Sequence, residues 1–468
     1  MEALEAEKPK PKVRVTTQRG ERWFYPFVLA FIASGGASLL LPLFAASVLH
    51  GTVGQIGLMA SLASLAGVPF SILWGRLSDR LERRKPFVLL AFTGAGLALL
   101  AMGFSRNMRQ LILLNMAMNA VWVAASAVST LLVIEGVDQN KWESRIGRFN
   151  RYTGAGWVSG LALGAVWNLL AKGIPGGGLR QLFYFLAALD LVAAYLTQRW
   201  LRERVEVYHY KRWRFRGLIV EWGDMLVERF RYAPFHLYHL LQPGRLRELL
   251  RGKERLEPAL ARYFCCVVLI FMGFATFFVP LPVFFRQVLG LDNAVVYAVW
   301  MVHPLVSTLF HGRAGALAER FSNRRVQLAA LSIRILLFPL AGLLPLLPPG
   351  LRPWLIAVMF VFTGGSWALT NVTAQGIVAR LAPEGSRGQL LGLYNALIGV
   401  GWIVGALLGG YLAGWSYQAA FTAAAGLLLL AALGLWRIFF MPPAPVPSPV
   451  PSSPSPSPSA SSDSAGGG

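Results

Sequence analysis

The stretch GRLSDRLERRK at residues 75–85 recurs as GALAERFSNRR at residues 315–325. Both stretches open on a glycine, place an acidic residue four positions later, and continue into basic residues. A loop that only oriented the chain in a membrane would need basic residues alone. The repeated acid therefore predicts two related halves, separated by an offset of 240 residues from Gly75 to Gly315.

A second match, at an offset of 245 residues from Gly147 to Gly392, pairs one glycine-rich helix in each half. The paired residues are Gly147, Asn150, Gly154, Gly156, Trp157, Gly160 and Gly164 with Gly392, Asn395, Gly399, Gly401, Trp402, Gly405 and Gly409. Each match falls at the same helix number within its half. The halves are therefore predicted to be parallel repeats, related by an axis along the membrane normal.

The chain is far more apolar than a soluble protein. Of its 468 residues, 55% are hydrophobic and 14% are charged, and the mean hydropathy is +0.52, whereas a soluble domain carries about 25% charged residues. The net charge of +22 does not indicate nucleic-acid binding, because the basic residues lie between apolar runs rather than on one water-facing module. Composition predicts an integral membrane protein with lipid, not nucleic acid, as its surroundings.

Twelve apolar runs approach the length of about 20 residues that a membrane-spanning helix needs. They begin near Trp23, Ile56, Phe87, Leu111, Tyr152, Leu182, Tyr263, Ala294, Val326, Trp354, Leu390 and Ala419. An even number of spans places both termini on one side, and most of the 44 Lys and Arg residues fall on that side, which is the mark of the cytoplasm. We expect a multi-pass protein of the cell membrane with both termini in the cytoplasm.

The spans divide into two groups of six, at residues 23–200 and 263–440. Residues 1–22 are an N-terminal cytoplasmic segment. Between the halves, residues 201–262 form a charged cytoplasmic segment, in which apolar residues from Leu218 to Phe230 predict an amphipathic helix that lies in the leaflet or packs under the bundle. Residues 441–468 are nearly all Pro, Ser, Ala and Gly, which predicts a disordered cytoplasmic tail.

Over residues 22–440 the sequence resembles the Major Facilitator Superfamily. The signature loop of that family reads Gly-x-Leu-x-Asp-Arg before a run of basic residues, and residues 75–80 match it. The resemblance implies an all-α fold of twelve transmembrane helices in two pseudo-symmetric halves, which rock about a central cavity lined by helices one, four, seven and ten. It also implies that the acid of each repeated loop helps to close the cytoplasmic side. The implied gating residues are Gly75, Asp79, Arg80, Gly315, Glu319 and Arg320.

The fifth helix has two interpretations that the sequence leaves open. Its glycines resemble a pattern of the family's antiporters, although Leu161 and Ala165 stand where that pattern has proline and glycine. Glycines four residues apart also make a stripe of small residues, along which two helices approach closely in lipid. Both interpretations predict tight packing of this helix against the other half. The helix-packing residues are Gly156, Gly160, Gly164, Gly401, Gly405 and Gly409.

Candidate substrate-binding residues are the polar and aromatic side chains on the helices that the resemblance places around the cavity, because purely apolar surface cannot recognise a solute. Those on the fourth and tenth helices are Asn115, Asn119, Trp122, Ser126, Trp367, Thr370 and Asn371. The two tryptophans correspond at the offset of 245 residues and would supply flat walls for a ring or a cation. Taken singly, each of these residues is better explained by contacts between helices.

Candidate coupling residues are the titratable side chains within the spans, because a charge at the bilayer centre costs about 2.5–3.5 kcal/mol. They are Asp190, His303 and Arg334. The resemblance places the sixth and ninth helices on the outside of their halves, so we expect local partners for Asp190 and Arg334 rather than a direct pair. For His303, which precedes Pro304, a neutral ring hydrogen-bonded at a kink is the alternative to proton carriage.

These features predict a secondary transporter that works by alternating access. The first hypothesis is efflux of small organic compounds that are apolar or cationic and drug-like; uptake of a neutral polar metabolite such as a sugar is the second. A membrane sensor of the same fold that transports nothing is the third. An enzyme is not expected, because we find no nucleophile, metal-ligand set or pair of acids at one membrane depth. We expect a small-molecule substrate, protons or another coupling ion, no cofactor or metal, and a monomer.

Overall fold

The computed structural model describes residues 22–81, 83–134, 142–174, 178–201, 258–381 and 387–440. These residues form long helices joined by short turns, so the predicted all-α membrane architecture is confirmed. The helices are α1 Tyr25–Ser47, α2 Val53–Leu81, α3 Lys85–Gly103, α4 Met108–Ile134, α5 Trp142–Leu170, α6 Leu179–Trp200, α7 Pro258–Phe278, α8 Leu281–Gln287, α9 Asn293–Phe321, α10 Asn323–Ala341, α11 Arg352–Leu381, α12 Arg387–Trp415 and α13 Tyr417–Phe440. The predicted amphipathic helix and the tail lie outside the described residues.

Within the described ranges, ten helical stretches are long and apolar enough to cross a membrane. The two other long helices at expected spans are α5 and α10. Glycines and polar residues lower the hydropathy of α5, and the 19 residues of α10 include Arg324, Arg325 and Arg334. Both helices nevertheless pack within the bundle at the places where the fifth and ninth spans are expected.

Two elements depart from the hydropathy pattern. The fifth span begins at Trp142 rather than near Tyr152, because its first turns are helical but carry charged residues that a search for apolar runs rejects. The seventh span is divided into α7 and α8. The division falls at Pro280, which has no backbone N–H to donate and so interrupts the helical hydrogen bonding.

The packing of helices repeats between the N-terminal half, α1–α6, and the C-terminal half, α7–α13. In the first half α1 contacts α5 and α6, α2 contacts α4, and α3 contacts α4 and α6. In the second half α7 contacts α12 and α13, α9 contacts α11, and α10 contacts α11 and α13. The five pairs correspond one to one, so the two sequence repeats coincide with a repeat in packing.

Two helix pairs make the main contacts between the halves, α2 with α12 and α5 with α9, and α1 also contacts α8. Exchanging each helix for its counterpart turns one pair into the other, as expected for halves related by a twofold axis. One buried apolar cluster contains residues of both halves, among them Leu161 of α5 and Tyr297 of α9. The order of the helices gives the bundle two distinct ends. The short-loop end has the described connections at 48–52, 171–174 and 288–292, and the basic end has those at 83–84 and 322.

Candidate functional site

Each half carries a matched pair of aromatic rings. Trp122 on α4 packs edge-on to Phe31 on α1, with ring centroids 5.8 Å apart, and Trp367 on α11 packs edge-on to Phe271 on α7 at 6.0 Å. Phe31 and Phe271 are related by the same offset of 240 residues as the repeated loops. The tryptophans were candidate wall residues from the sequence; the phenylalanines were missed, although the first offset could have identified them.

The polar residues of α4 contact mainly their own helix and its neighbour. The Asn119 side-chain amide donates to the Asn115 backbone carbonyl at 2.9 Å, and the buried Asn115 amide donates to the Met59 carbonyl of α2 at 3.4 Å. Ser126 is exposed, and its hydroxyl donates to the Val123 carbonyl. Asn115 thus links two helices, whereas Asn119 and Ser126 lie within one or two helical turns of Trp122.

On α11, the candidate residues differ in their exposure. The Thr370 hydroxyl is buried and donates to the Ser366 carbonyl at 2.8 Å. Asn371 is half-buried, and its side-chain oxygen accepts from the exposed Gln375 amide at 3.4 Å. Trp367 is half-buried against Phe274, at a centroid distance of 5.6 Å. The Thr370 hydroxyl is therefore already hydrogen-bonded within its own helix. Asn371 and Trp367 are more accessible than Thr370.

Arg334 is fully buried in the C-terminal half, on α10. Its Nε donates to the Ser366 hydroxyl at 2.7 Å and one terminal nitrogen donates to the Thr363 carbonyl. Its guanidinium carbon lies 4.3 Å from the centre of the Phe274 ring. These partners all belong to α7 and α11 of the same half.

Asp190 is buried in the N-terminal half, on α6, where its Cβ faces Gly96 of α3. Asp190 and Arg334 therefore lie in different halves with different neighbours. The His303 ring, on α9, packs against Phe278 and Trp367, with centroids 5.3 and 6.2 Å away. The structure brings His303 and Arg334 to the same tryptophan and leaves Asp190 elsewhere.

The glycine stripes pack mainly inside their own halves. A Cβ added at Gly160 would overlap the carbonyl oxygen of Ile32 on α1, and one added at Gly405 would overlap the carbonyl of Met272 on α7. Gly156, Gly401 and Gly409 make the same kind of close approach to α1 or α7. Gly164 differs, because it faces the Tyr297 ring of the other half. The expected packing of α5 against the other half therefore rests on Gly164, not on the whole stripe.

The halves meet closely at the short-loop end. Tyr297 is fully buried, and its hydroxyl donates to the Gly36 carbonyl of α1 at 2.8 Å. A Cβ added at Gly57 of α2 would lie 2.8 Å from the Gly410 Cα of α12. Nearby, the Lys172 ammonium lies 3.4 Å from the Asp292 carboxylate, both exposed. These contacts close the short-loop end between the halves.

At the basic end, the repeated loops lie at the surface. Arg80, Glu319 and Arg320 are exposed, and Gly75 and Gly315 have open space where a Cβ would stand. The side chain of Asp79 is outside the described residues, so its gating role stays a prediction. An open cleft of about 550 Å³ is lined by Ala318, Glu319, Arg320, Phe321, Ser322, Arg324, Arg325 and Arg380.

The two repeated halves and their matching helix packing are those of a multi-pass membrane transporter. The chain belongs to the Major Facilitator Superfamily, whose family model matches residues 27–397 and 304–464. The family named from the sequence, and the fold it implied, are thus confirmed.

The similar proteins include drug resistance proteins and a nucleoside transporter. Over 397 residues the chain is 23% identical to multidrug resistance protein MdtG of Dickeya zeae, covering 81% of this chain and 83% of that one. It is also 23% identical to the class D tetracycline resistance protein of Salmonella ordonez, covering 78% and 81% of the two chains. The crystal structure of the nucleoside transporter NupG matches with a TM-score of 0.67 at 14% identity, over 90% of this chain and 99% of that one; this likeness shows the fold alone.

Proposed function

We propose that the chain exports small aromatic organic compounds across the inner membrane by alternating access, with both termini in the cytoplasm. The observation that carries this proposal is the pair of equivalent aromatic contacts, Phe31 with Trp122 and Phe271 with Trp367. Phe271 is buried, and the other three rings are half-buried, so they keep surface that a solute can contact. Flat rings bind flat apolar solutes through stacking and edge contacts. The names of the multidrug and tetracycline resistance relatives support export of such compounds.

Of the two charge classes in the sequence hypothesis, we propose neutral apolar compounds over cations. The wall tryptophan Trp367 has the Arg334 guanidinium 5.8 Å from its ring centre. A positive charge at this distance repels a cationic solute in a low-dielectric interior. The aromatic face of the C-terminal half is therefore less suited to a cation than its rings alone would indicate.

Uptake of a neutral polar metabolite is the second candidate. The amide and hydroxyl groups of Asn119, Ser126 and Asn371 lie close along the helices to the wall tryptophans, and such groups hydrogen-bond sugars or nucleosides. Protons are the coupling ion to test first, because Asp190 and His303 are titratable and lie within spans. We propose that one chain is sufficient for transport.

The test uses sealed proteoliposomes that contain a trapped pH dye. Lipophilic cations, neutral aromatics, sugars and amino acids are added one class at a time, and solute and proton movement are recorded together. We expect neutral aromatics to move in exchange for protons. Movement of sugars in the same direction as protons would instead establish the second candidate, and absence of movement in every class would contradict transport of these solutes.

Single substitutions then test the aromatic walls. Trp122→Ala and Trp367→Ala should each raise the KM for a neutral aromatic roughly tenfold, since an aromatic pair contributes about 0.5–1.5 kcal/mol beyond buried area. Trp415→Ala is the matched control, because Trp415 is 75% exposed at the end of α12. Equal KM values for all three variants would show that the walls do not bind the substrate.

A further inference from the structure

The interior of the C-terminal half contains a positive charge whose hydrogen bonds are incomplete. Arg334 donates to the Ser366 hydroxyl and the Thr363 carbonyl, but its Nη1 is buried without a hydrogen-bond partner. Across the described part of the chain, no carboxylate lies within ion-pair distance of this guanidinium. A buried charge without a counter-charge is unfavourable, so such groups in proteins are normally paired.

A second open polar group lies beside the first. His303 Nε2 is also buried without a hydrogen-bond partner. The His303 ring and the Arg334 guanidinium lie against the same two aromatic rings: Phe278 is 5.3 Å from the first and 5.7 Å from the second, and Trp367 is 6.2 and 5.8 Å away. The two groups with free hydrogen-bonding capacity therefore share one aromatic enclosure.

The enclosure favours a small anion over other ligands. The guanidinium has only donors. The His303 ring already donates to the Thr363 backbone carbonyl, so its Nε2 adds a donor when the ring carries both protons. Two nitrogens of the planar guanidinium fork already donate within the protein, so Nη1 donates to one oxygen of a carboxylate or to a halide. The rings of Phe274, Phe278 and Trp367 exclude the water that would otherwise weaken the attraction.

We propose that Arg334 and His303 form a binding site for one negative charge, either the carboxylate of an aromatic solute or a free halide ion. The site adjoins Trp367, the wall residue of the C-terminal half. In the carboxylate case the proposal rests on the proposed function, because it adds weak organic acids to the aromatic compounds that the protein transports. In the halide case the anion neutralises Arg334 whichever solute is carried.

The experiment measures binding to the purified full-length protein in detergent, without any gradient. Thermal unfolding is followed as benzoate or bromide is titrated, with benzamide as the neutral isostere of benzoate and gluconate to keep the ionic strength constant. A ligand that binds only the folded state raises the Tm as its concentration rises. We expect benzoate, bromide or both to raise the Tm, and benzamide to raise it less than benzoate does.

The two anions distinguish the two sources of charge. A response to benzoate without bromide identifies a carboxylate site, and a response to bromide identifies a halide site. If neither anion raises the Tm of the unmodified protein, the proposal is overturned, and this result needs no variant. Anion binding without transport of any solute would support the anion site and contradict the proposed function. Transport of neutral aromatics without anion binding would support the proposed function and contradict the anion site.

Substitutions assign the binding to Arg334. Arg334→Gln should abolish the anion-dependent rise in Tm, and Arg334→Lys, which keeps the charge but loses the fork, should weaken apparent affinity roughly tenfold. Arg180→Gln is the matched control, because Arg180 donates to the Gly103 and Ser105 carbonyls and also lies over a ring, that of Phe44. If Arg334→Gln and Arg334→Lys remain folded and respond like the unmodified protein, the site is elsewhere and the proposal is wrong.

Discussion

At the scale of single residues, Tyr297 makes the most specific contact between the halves. Its ring covers Gly164 of α5 and its hydroxyl donates to the Gly36 carbonyl of α1. A transporter that opens at the short-loop end must break this buried hydrogen bond, because its donor and acceptor belong to different halves. We therefore expect Tyr297 to stabilise the state that is closed at the short-loop end.

Tyr297→Phe should shift the equilibrium toward states open at the short-loop end. It removes one hydrogen bond, worth about 0.5–1.5 kcal/mol, which corresponds to a change in population of about twofold to thirteenfold. Spin labels at Lys172 and Asp292, both exposed across the closed end, would report the change as a larger share of long distances. Tyr411→Phe is the control, since Tyr411 is 61% exposed, and identical distance distributions in both variants would contradict the role of Tyr297.

The sequence predicted some of these residues and not others for a physical reason. Trp122 and Trp367 were candidates because the resemblance places their helices around the cavity and because they correspond between the halves. His303 and Arg334 were candidates because titratable groups are rare in spans. Tyr297 has no such signal: its importance depends on which helix of the other half faces α9. The neighbourhood of Arg334 was likewise unpredictable, because it depends on how α7, α10 and α11 are rotated about their axes.

At the scale of helices, the glycines of α5 and α12 set the distance between neighbours. Gly160 packs so closely on α1, and Gly405 on α7, that a Cβ at either position would overlap a backbone carbonyl oxygen of the neighbouring helix. In lipid, where no hydrophobic effect drives helices together, such close approach supplies much of the packing energy. The helices α5 and α12 therefore position α1 and α7, which carry Phe31 and Phe271.

Gly160→Leu should reduce transport to less than about a tenth, because overpacking of this kind costs about 1–3 kcal/mol and displaces α1. Gly405→Leu, at the equivalent position, should cause a similar loss. The matched control is Gly154→Leu on the same helix as Gly160, where an added Cβ meets nothing within 4 Å. Flux into proteoliposomes at equal protein content measures the effect. Full activity of Gly160→Leu, or equal losses in Gly160→Leu and Gly154→Leu, would contradict the packing account.

Most helices start within a few residues of the predicted spans. The two agree because a helix that crosses a membrane must itself be a run of about 20 apolar residues. The fifth span departs, since its first turns, from Trp142, are helical without being apolar. The break in the seventh span at Pro280 was not predicted. Proline alone did not identify it, because Pro42, Pro69 and Pro304 lie inside continuous helices.

At the scale of the whole molecule, the halves are joined through α2 with α12 and α5 with α9. The close contacts of these pairs, at Gly57 with Gly410 and at Gly164 with Tyr297, lie at the short-loop end. Alternating access requires this end to open when the basic end closes. The repeated loops predicted two halves. They did not predict the end at which the halves meet, because the same sequence forms both the arrangement closed at the short-loop end and the one closed at the basic end.

The ion pair Lys172–Asp292 offers the most direct measurement of this account. In a chain with Cys265 and Cys266 replaced by alanine, Lys172→Cys and Asp292→Cys are introduced together. Because the 3.4 Å contact joins the ends of two side chains and a direct disulfide needs closer backbones, the cysteines are bridged by a bis-methanethiosulfonate cross-linker, and solute flux in proteoliposomes is assayed before and after reduction. The exposed ion pair itself contributes little, so the reduced double variant and both single variants should remain active. We predict that the cross-link stops transport and that reduction restores it. Undiminished flux through fully cross-linked protein would contradict alternating access through the short-loop end.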